Sequence, residues 1–210
     1  FQASDAFMKV ANTELINASF GSSASGTLID NILDNANVKF GTNRNIETGV
    51  STMQSLSGIS DNTLTVLQQI ERSENGLLFM DRSGTLQFKS RHTTFPSTPS
   101  ATFSDDGSDV PYLQVNYIND DNEIYNIVNL TRLGGSAQQA QDIGSQGKYL
   151  IRTLQRTGLF NNSDTEVLEA ANFLLGKFKD AIIRFDDLVV DLTEASTSNQ
   201  NTVLAREVGD

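Results

Sequence analysis

The run from Asp61 to Phe88 constrains the fold more than any other stretch, because the hydrophobic period changes from helical to alternating inside it. Leu64, Leu67 and Ile70 fall on one face of a helix spanning 61–75. Ile59 is placed to staple its start, Ser60 or Asp61 to cap it, and Asn75-Gly76 to end it. Two short apolar runs follow, Leu77-Leu78-Phe79-Met80-Asp81 and Thr85-Leu86-Gln87-Phe88-Lys89. Arg82-Ser83-Gly84 lies between them, and its final Gly accepts the left-handed conformation that a tight hairpin needs.

The rest of the chain is read by the same two periods. Phe7, Met8, Val10, Ala11 and Leu15 make a helical face over 5–16, and Leu28, Ile29, Ile32, Leu33 and Ala36 another over 25–36. A polar stretch from Phe40 to Asn45 and a short strand over 50–56 follow, so residues 1–75 are expected to be mainly helical. Residues 76–210 read as a β-rich mixed region, interrupted by Pro96 and Pro99. Strands are expected over 112–118 and 124–132, joined as a hairpin by the turn Asn119-Asp120-Asp121-Asn122, the second ending at Gly134-Gly135. Residues 136–160 obey neither period. Ser163 and Glu166 form a capping box for a helix over about 164–179, with Val167, Leu168, Ala171, Leu174, Leu175 and Phe178 on one face. A strand over 181–192 alternates through Ile183 and Phe185, then Leu188, Val190 and Leu192. The phase slips by one residue at Asp186-Asp187, as a β-bulge requires. A weaker helix over 194–206 closes the pattern, which as a whole is α+β. The chain opens on Phe1 rather than Met and stops on Glu207-Val208-Gly209-Asp210, which reads as a piece of a longer or processed protein about to enter another strand.

Catalysis is tested by looking for its parts. Nucleophilic triads need a base, usually His, and the single histidine is His92, beside no motif and expected in an exposed loop. No GxSxG elbow, GxxxxGK[ST] phosphate loop or HExxH zinc pattern occurs. With no cysteine there is no disulfide framework and no thiolate metal site. The acidic turns Asp105-Asp106-Gly107-Ser108-Asp109 and Asp120-Asp121-Asn122-Glu123 lack EF-hand spacing and its terminal Glu, and read as solvated turns. A glycosidase carboxylate pair would be expected beside aromatic sugar platforms, yet Trp is absent and Tyr numbers four. The twelve Phe fall on core faces. A formal charge of −11 argues against a phosphate-binding surface, and no apolar run is long enough to cross a bilayer. The expectation is a protein with no catalytic residue, no metal site and no cofactor, and without stable membrane insertion.

The helix-to-hairpin run Leu67–Phe88, with its Asp81-Arg82-Ser83-Gly84-Thr85-Leu86-Gln87-Phe88 core, resembles an element of phage baseplate-hub and tail-associated proteins, in which a helix feeds a strand pair of the form DxxGxLxF. Asp105-Asp106-Gly107, Asn126–Arg132 and the stretch from Gly158 through the capped helix to Asp210 are similar to minor tail proteins of long-tailed phages infecting actinobacteria. The resemblance covers most of 60–210 and implies a role without chemistry. The expected fold is an antiparallel β-barrel-like tube domain with a helical segment packed alongside. The expected assembly is a ring, a trimer, that continues the tail tube at the tail tip of a virion made in the host cytoplasm. Its partners would be the distal tail protein, the tape measure, and fibres or a spike, with genomic DNA only passing through an acidic lumen. A distal tail (adaptor ring) protein, a hexamer, is one alternative. A receptor- or glycan-binding or glycan-cleaving tail module is the other.

Overall fold

The computed structural model describes residues 6–95, 99, 101–106, 109–120, 123–192 and 196–206, and these form an α+β chain. Its first part contains α1 (Ala6–Ala11), β1 (Ala18–Phe20), β2 (Ser23–Ala24), α2 (Ser25–Leu33), β3 (Arg44–Ile46), β4 (Thr52–Met53) and β5 (Leu56–Ile59). Both helices lie inside the predicted ranges, while the strand expected over 50–56 is divided into β4 and the start of β5. β1 pairs antiparallel with β5, and β2 with β4. Leu28, Ile29, Ile32 and Leu33 of α2 are completely buried. The start of α2 is pressed against the 47–51 loop: Gly26 N–H donates to Thr48 O at 2.8 Å. A Cβ on Gly26 would sit 1.7 Å from Glu47 O, so no larger residue fits there.

The helix-into-hairpin run is α3 (Thr63–Glu74) followed by β6 (Leu77–Met80) and β7 (Leu86–Lys89). The cap is Asn62 rather than Ser60 or Asp61. Its side chain accepts the Thr65 N–H at 3.3 Å while its Nδ2 donates to Ala11 O at 2.5 Å. An amide can do both, whereas an ionised carboxylate could accept but not donate. Asn75 ends the helix in the left-handed conformation at φ 58°. In the hairpin Leu77 faces Lys89 and Met80 faces Leu86, with Gly84 at φ 77° as its loop demands. The Asp81 carboxylate organises that loop, accepting from Ser83 Oγ at 2.6 Å, Ser83 N and Thr85 N at 2.9 and 2.8 Å, and Gln87 Nε2 at 2.8 Å. These bonds, the Ser83 hydroxyl foremost, lower its pKa to about 2. β3 lies parallel to β7, giving the order β3-β7-β6. One hydrophobic cluster joins Leu28, Ile32, Leu67 and Ile70 to Leu78, Leu86 and Phe88, so it crosses residue 75, where the hydropathy pattern changes.

Glu74 is fully buried beneath that cluster's edge. Its carboxylate accepts the N–H groups of Val50 at 3.0 Å and Ser51 at 2.8 Å, and the Ser25 hydroxyl at 3.0 Å. A charge without water needs such donors, and here they tie α3 to the 50–51 loop and the first residue of α2.

The later part contains α4 (Arg91–Thr94), β8 (Phe103–Ser104), β9 (Val110–Pro111), β10 (Gln114–Asp120), β11 (Ile127–Arg132), β12 (Gln138–Gln141), α5 (Ile143–Tyr149), β13 (Thr153–Leu159), α6 (Asp164–Phe178), β14 (Ile182–Val189) and α7 (Thr197–Leu204). The expected 112–132 hairpin is not formed. β10 pairs antiparallel with β14, whereas β11 pairs antiparallel with β12 and parallel with β13. Two residues of the turn that suggested the hairpin, 121 and 122, lie outside the described set, as do Pro96, Glu194 and residues 207–210. The bulge appears where the phase slip put it: Asn116 faces Asp187 and Tyr117 faces Phe185, which leaves Asp186 as the extra residue.

The unassigned 136–160 stretch contains two strands and a helix. On β13 the half-buried positions Leu154, Arg156 and Gly158 alternate with exposed ones up to the fully buried Leu159, so the alternation of burial carries no alternation of hydropathy. α6 covers the β12-β11-β13 sheet, burying Val167, Ala170, Ala171 and Leu174 against Val128, Leu130, Ala140 and Leu159. Ser163 caps it, accepting Glu166 N–H at 3.2 Å. The Glu166 carboxylate does not return to Ser163: it takes Asn162 N–H at 3.2 Å and, from the first part of the chain, Thr52 N–H at 3.0 Å. Gln54 N–H to Phe160 O at 2.7 Å and Phe160 N–H to Ser73 Oγ at 2.9 Å continue the same seam. Among the described residues each sheet has two or three strands and none closes on itself.

Candidate functional site

The side chains that carry chemistry elsewhere are dispersed here. His92 is exposed, but on the one-turn α4 rather than in a loop, and its ring meets Phe173 edge-on at 5.8 Å. Asp105, Asp106 and Asp109 are exposed, as is Glu123, while Gly107, Ser108, Asp121 and Asn122 are outside the described residues. Among the described residues no three His, Asp or Glu side chains come together in a group able to hold a metal ion. No helix is long and apolar enough to cross a membrane.

The β10–β14 ribbon is the feature left without a partner. Its two strands run antiparallel over seven and eight residues and, among the described residues, hydrogen-bond only to each other. Leu113 N–H adds a rung at Val189 O, 2.8 Å. Alternation puts Leu113, Val115 and Tyr117 on one face, with Leu188 opposite Val115. Val189, opposite Gln114, and Ile182, opposite Asp120, belong to the other. Leu113 and Tyr117 are 68 % and 69 % exposed, and Ile182 and Val189 are exposed as well. Apolar side chains therefore face outward from both sides of a ribbon whose two outer edges are open. An isolated two-stranded ribbon is marginal in water, and open edges are templates for further strands.

Ile182 of β14 lines a pocket with Phe95, Lys177 and Phe178, which belong to a cluster of rings and cations. Phe95 meets Phe173 and Phe178 edge-on at 5.8 and 6.1 Å, and Tyr125 meets Phe178 at 6.2 Å. Lys177 Nζ lies 5.7 Å from the Phe95 ring and 5.8 Å from Phe173, and the Arg91 guanidinium 5.7 Å from Phe173. Arg91 is 5 % exposed, and its Nη1 has no hydrogen-bond partner in the protein. Sequence reading assigned these Phe to packing. Their arrangement around cations is a tertiary fact that no local spacing announces, since Arg91 and Phe173 belong to distant elements.

No family model matches the chain, and no curated protein matches it by sequence. Among solved structures, the chain is similar to the 43 kDa tail protein of prophage MuSo2 from Shewanella oneidensis, with a TM-score of 0.49 and 10 % identity over 82 % of this chain and 49 % of that one. It is also similar to the tail protein from Neisseria meningitidis MC58, with a TM-score of 0.47 and 10 % identity over 82 % of this chain and 51 % of that one. The chain spans about half the length of each.

Proposed function

We propose that this chain is a structural, non-catalytic part of a phage tail, of baseplate-hub type, and that it assembles into a ring through the β10–β14 ribbon. The observation that carries the reading is that ribbon: open on both edges among the described residues, apolar on both faces, and too small to be stable alone. Strand addition from a neighbouring copy satisfies the edges and covers Leu113 and Tyr117 in one step. Repeated around a closed ring, the same step builds a barrel-like wall from sheets that are open in the single chain.

The α3–β6–β7 unit supports the tail assignment, since it forms the helix-to-hairpin element on which the resemblance to hub proteins rests. In this reading the ring is a trimer at the tail tip, joined to the distal tail protein and tape measure on one side and to fibres or a spike on the other. A charge of −11 suits a lumen that lets DNA pass without holding it. The reading puts the chain in the same broad class as the two solved tail proteins named above.

Native mass measurement of the purified protein, with antibody labelling of intact virions, tests this. A trimer, with label at the tail tip, is the expected result. A hexamer would assign the chain to the distal-tail ring instead. A monomer at high concentration that is missing from virions would end the proposal.

A further inference from the structure

Arg72 and Arg156 lie close enough for their charges to interact, and neither has an ion-pair partner among the described residues, in a chain that has 26 acidic residues for 15 Lys and Arg. They line a cavity of about 480 Å³ between α3, β13, α6 and the residues that follow α4. Elsewhere Arg44 pairs with Asp30 and Asp34, both at 2.8 Å, and Arg132 with Asp164 at 2.7 Å. Arg156 Nη1 donates to Asn75 Oδ1 at 2.7 Å, which leaves the rest of its fork unused. Burial first, and the neighbouring Arg72 charge second, lower the Arg156 pKa, the signature of a cation short of compensation.

Two further groups in the wall point the same way. Asn75 is 8 % exposed and its Nδ2 has no partner in the protein, so a buried donor in the wall is unused. Glu71 also lines the cavity, but its Oε1 is taken by Leu78 N–H at 2.9 Å. Burial raises its pKa, and it forms no ion pair with either arginine. Phe95 and Phe178 also line the cavity and add apolar surface to it.

We propose that this cavity binds an organic carboxylate, its oxyanion held by Arg72 and Arg156 and its apolar body laid on Phe95 and Phe178. A guanidinium fork matches a planar oxyanion, and a closely spaced pair of like charges is relieved by an anion placed between them. The site stands independently of the tail reading. The carboxylate has two possible sources: a free small molecule, or an acidic side chain presented by another protein segment.

Calorimetric titration with 1-naphthoate tests the proposal, with 1-naphthamide as the uncharged match. Binding of the acid, with the amide at least about tenfold weaker, is expected from loss of one charge-assisted pair. Arg72→Gln, at an exposed position, is expected to weaken naphthoate by a similar factor at unchanged thermal midpoint. Arg156→Lys keeps the charge but loses the fork, and covers the case in which Arg156→Gln does not fold. N-acetyl-Phe-Asp-amide separates the sources: if it binds and competes with naphthoate, the carboxylate is chain-borne, and if only naphthoate binds it is a free molecule. Equal binding of acid and amide, affinity unchanged in both arginine variants, or no binding by either ligand would each overturn the proposal.

Discussion

At the scale of single residues, two carboxylates do opposite kinds of work. Glu74 is buried and accepts three donors, so replacing one of its oxygens with an NH₂ sets donor against donor whichever way the amide turns. Glu74→Gln is expected to lower stability by about 1–3 kcal/mol, and Glu74→Ala by more, since the alanine takes the acceptor from all three donors, two of which, on Ser25 and Ser51, are in the interior. Urea denaturation gives both values, and a neutral Glu74→Gln would mean that the donors find water instead. The signal for this residue was present in the sequence, because Glu74 follows Ile70 by four positions and Leu67 by seven, on the apolar face of its own helix. A charged residue on a buried stripe announces a partner without saying which, and Ser25 and Ser51 are too far along the chain for spacing to nominate them. Asp81 is half-buried and holds a surface loop together. Its folded pKa of about 2 lies below the ordinary 3.8, so the stability it contributes is complete above 3.8 and is lost as pH falls toward about 2. The thermal midpoint of Asp81→Ala, followed across that interval, should fall less steeply than that of the parent chain. Parallel curves would show that Asp81 keeps its bonds only weakly in solution.

Elements show where local reading works and where it stops. The 182–189 strand was legible down to its bulge, because a phase slip in hydropathy is a property of the strand itself. Its partner was not. Asn119–Asn122 is a good turn by composition, yet a turn signal only permits a hairpin, and β10 gains a longer ladder from β14 than β11 offers it. β13 was missed for another reason: Arg156 and Gly158 occupy half-buried positions where an apolar residue would have revealed it. The proposed carboxylate site is the same fact seen from the other side, since a half-buried arginine on a strand is what leaves a cation uncompensated there. α6 illustrates the remaining gap. Its capping box was readable as Ser163 and Glu166, but the Glu166 side chain reaches Thr52, a contact between elements that no motif encodes. Ser163→Ala removes only the cap and should cost about 1 kcal/mol. Glu166→Ala keeps that cap, which uses the backbone N–H of residue 166, and instead releases Thr52 N–H. Amide exchange at Thr52 is therefore expected to accelerate in Glu166→Ala and to stay near the parent rate in Ser163→Ala, and equal acceleration in both would show the tie to be an indirect effect of the helix.

For the whole molecule, the sign of the charge decides what kind of interface the ribbon can make. Every copy carries −11, so copies approaching one another repel, and the repulsion reaches about 10 Å at 0.1 M salt. An interface built on ion pairs would weaken as salt rises. One built on strand pairing and on burial of Leu113 and Tyr117 should strengthen, because screening removes the opposing term and leaves apolar burial and backbone hydrogen bonds in place. Self-association followed by analytical ultracentrifugation is accordingly expected to tighten between roughly 0.05 and 0.5 M salt. Leu113→Ser combined with Tyr117→Ser changes no charge and touches side chains that are already exposed in the single chain. The pair should abolish association at every salt concentration while leaving the thermal midpoint of the monomer near its parent value. Association that weakens with salt, or that survives the double substitution, would place the contact on another surface and detach assembly from the ribbon altogether.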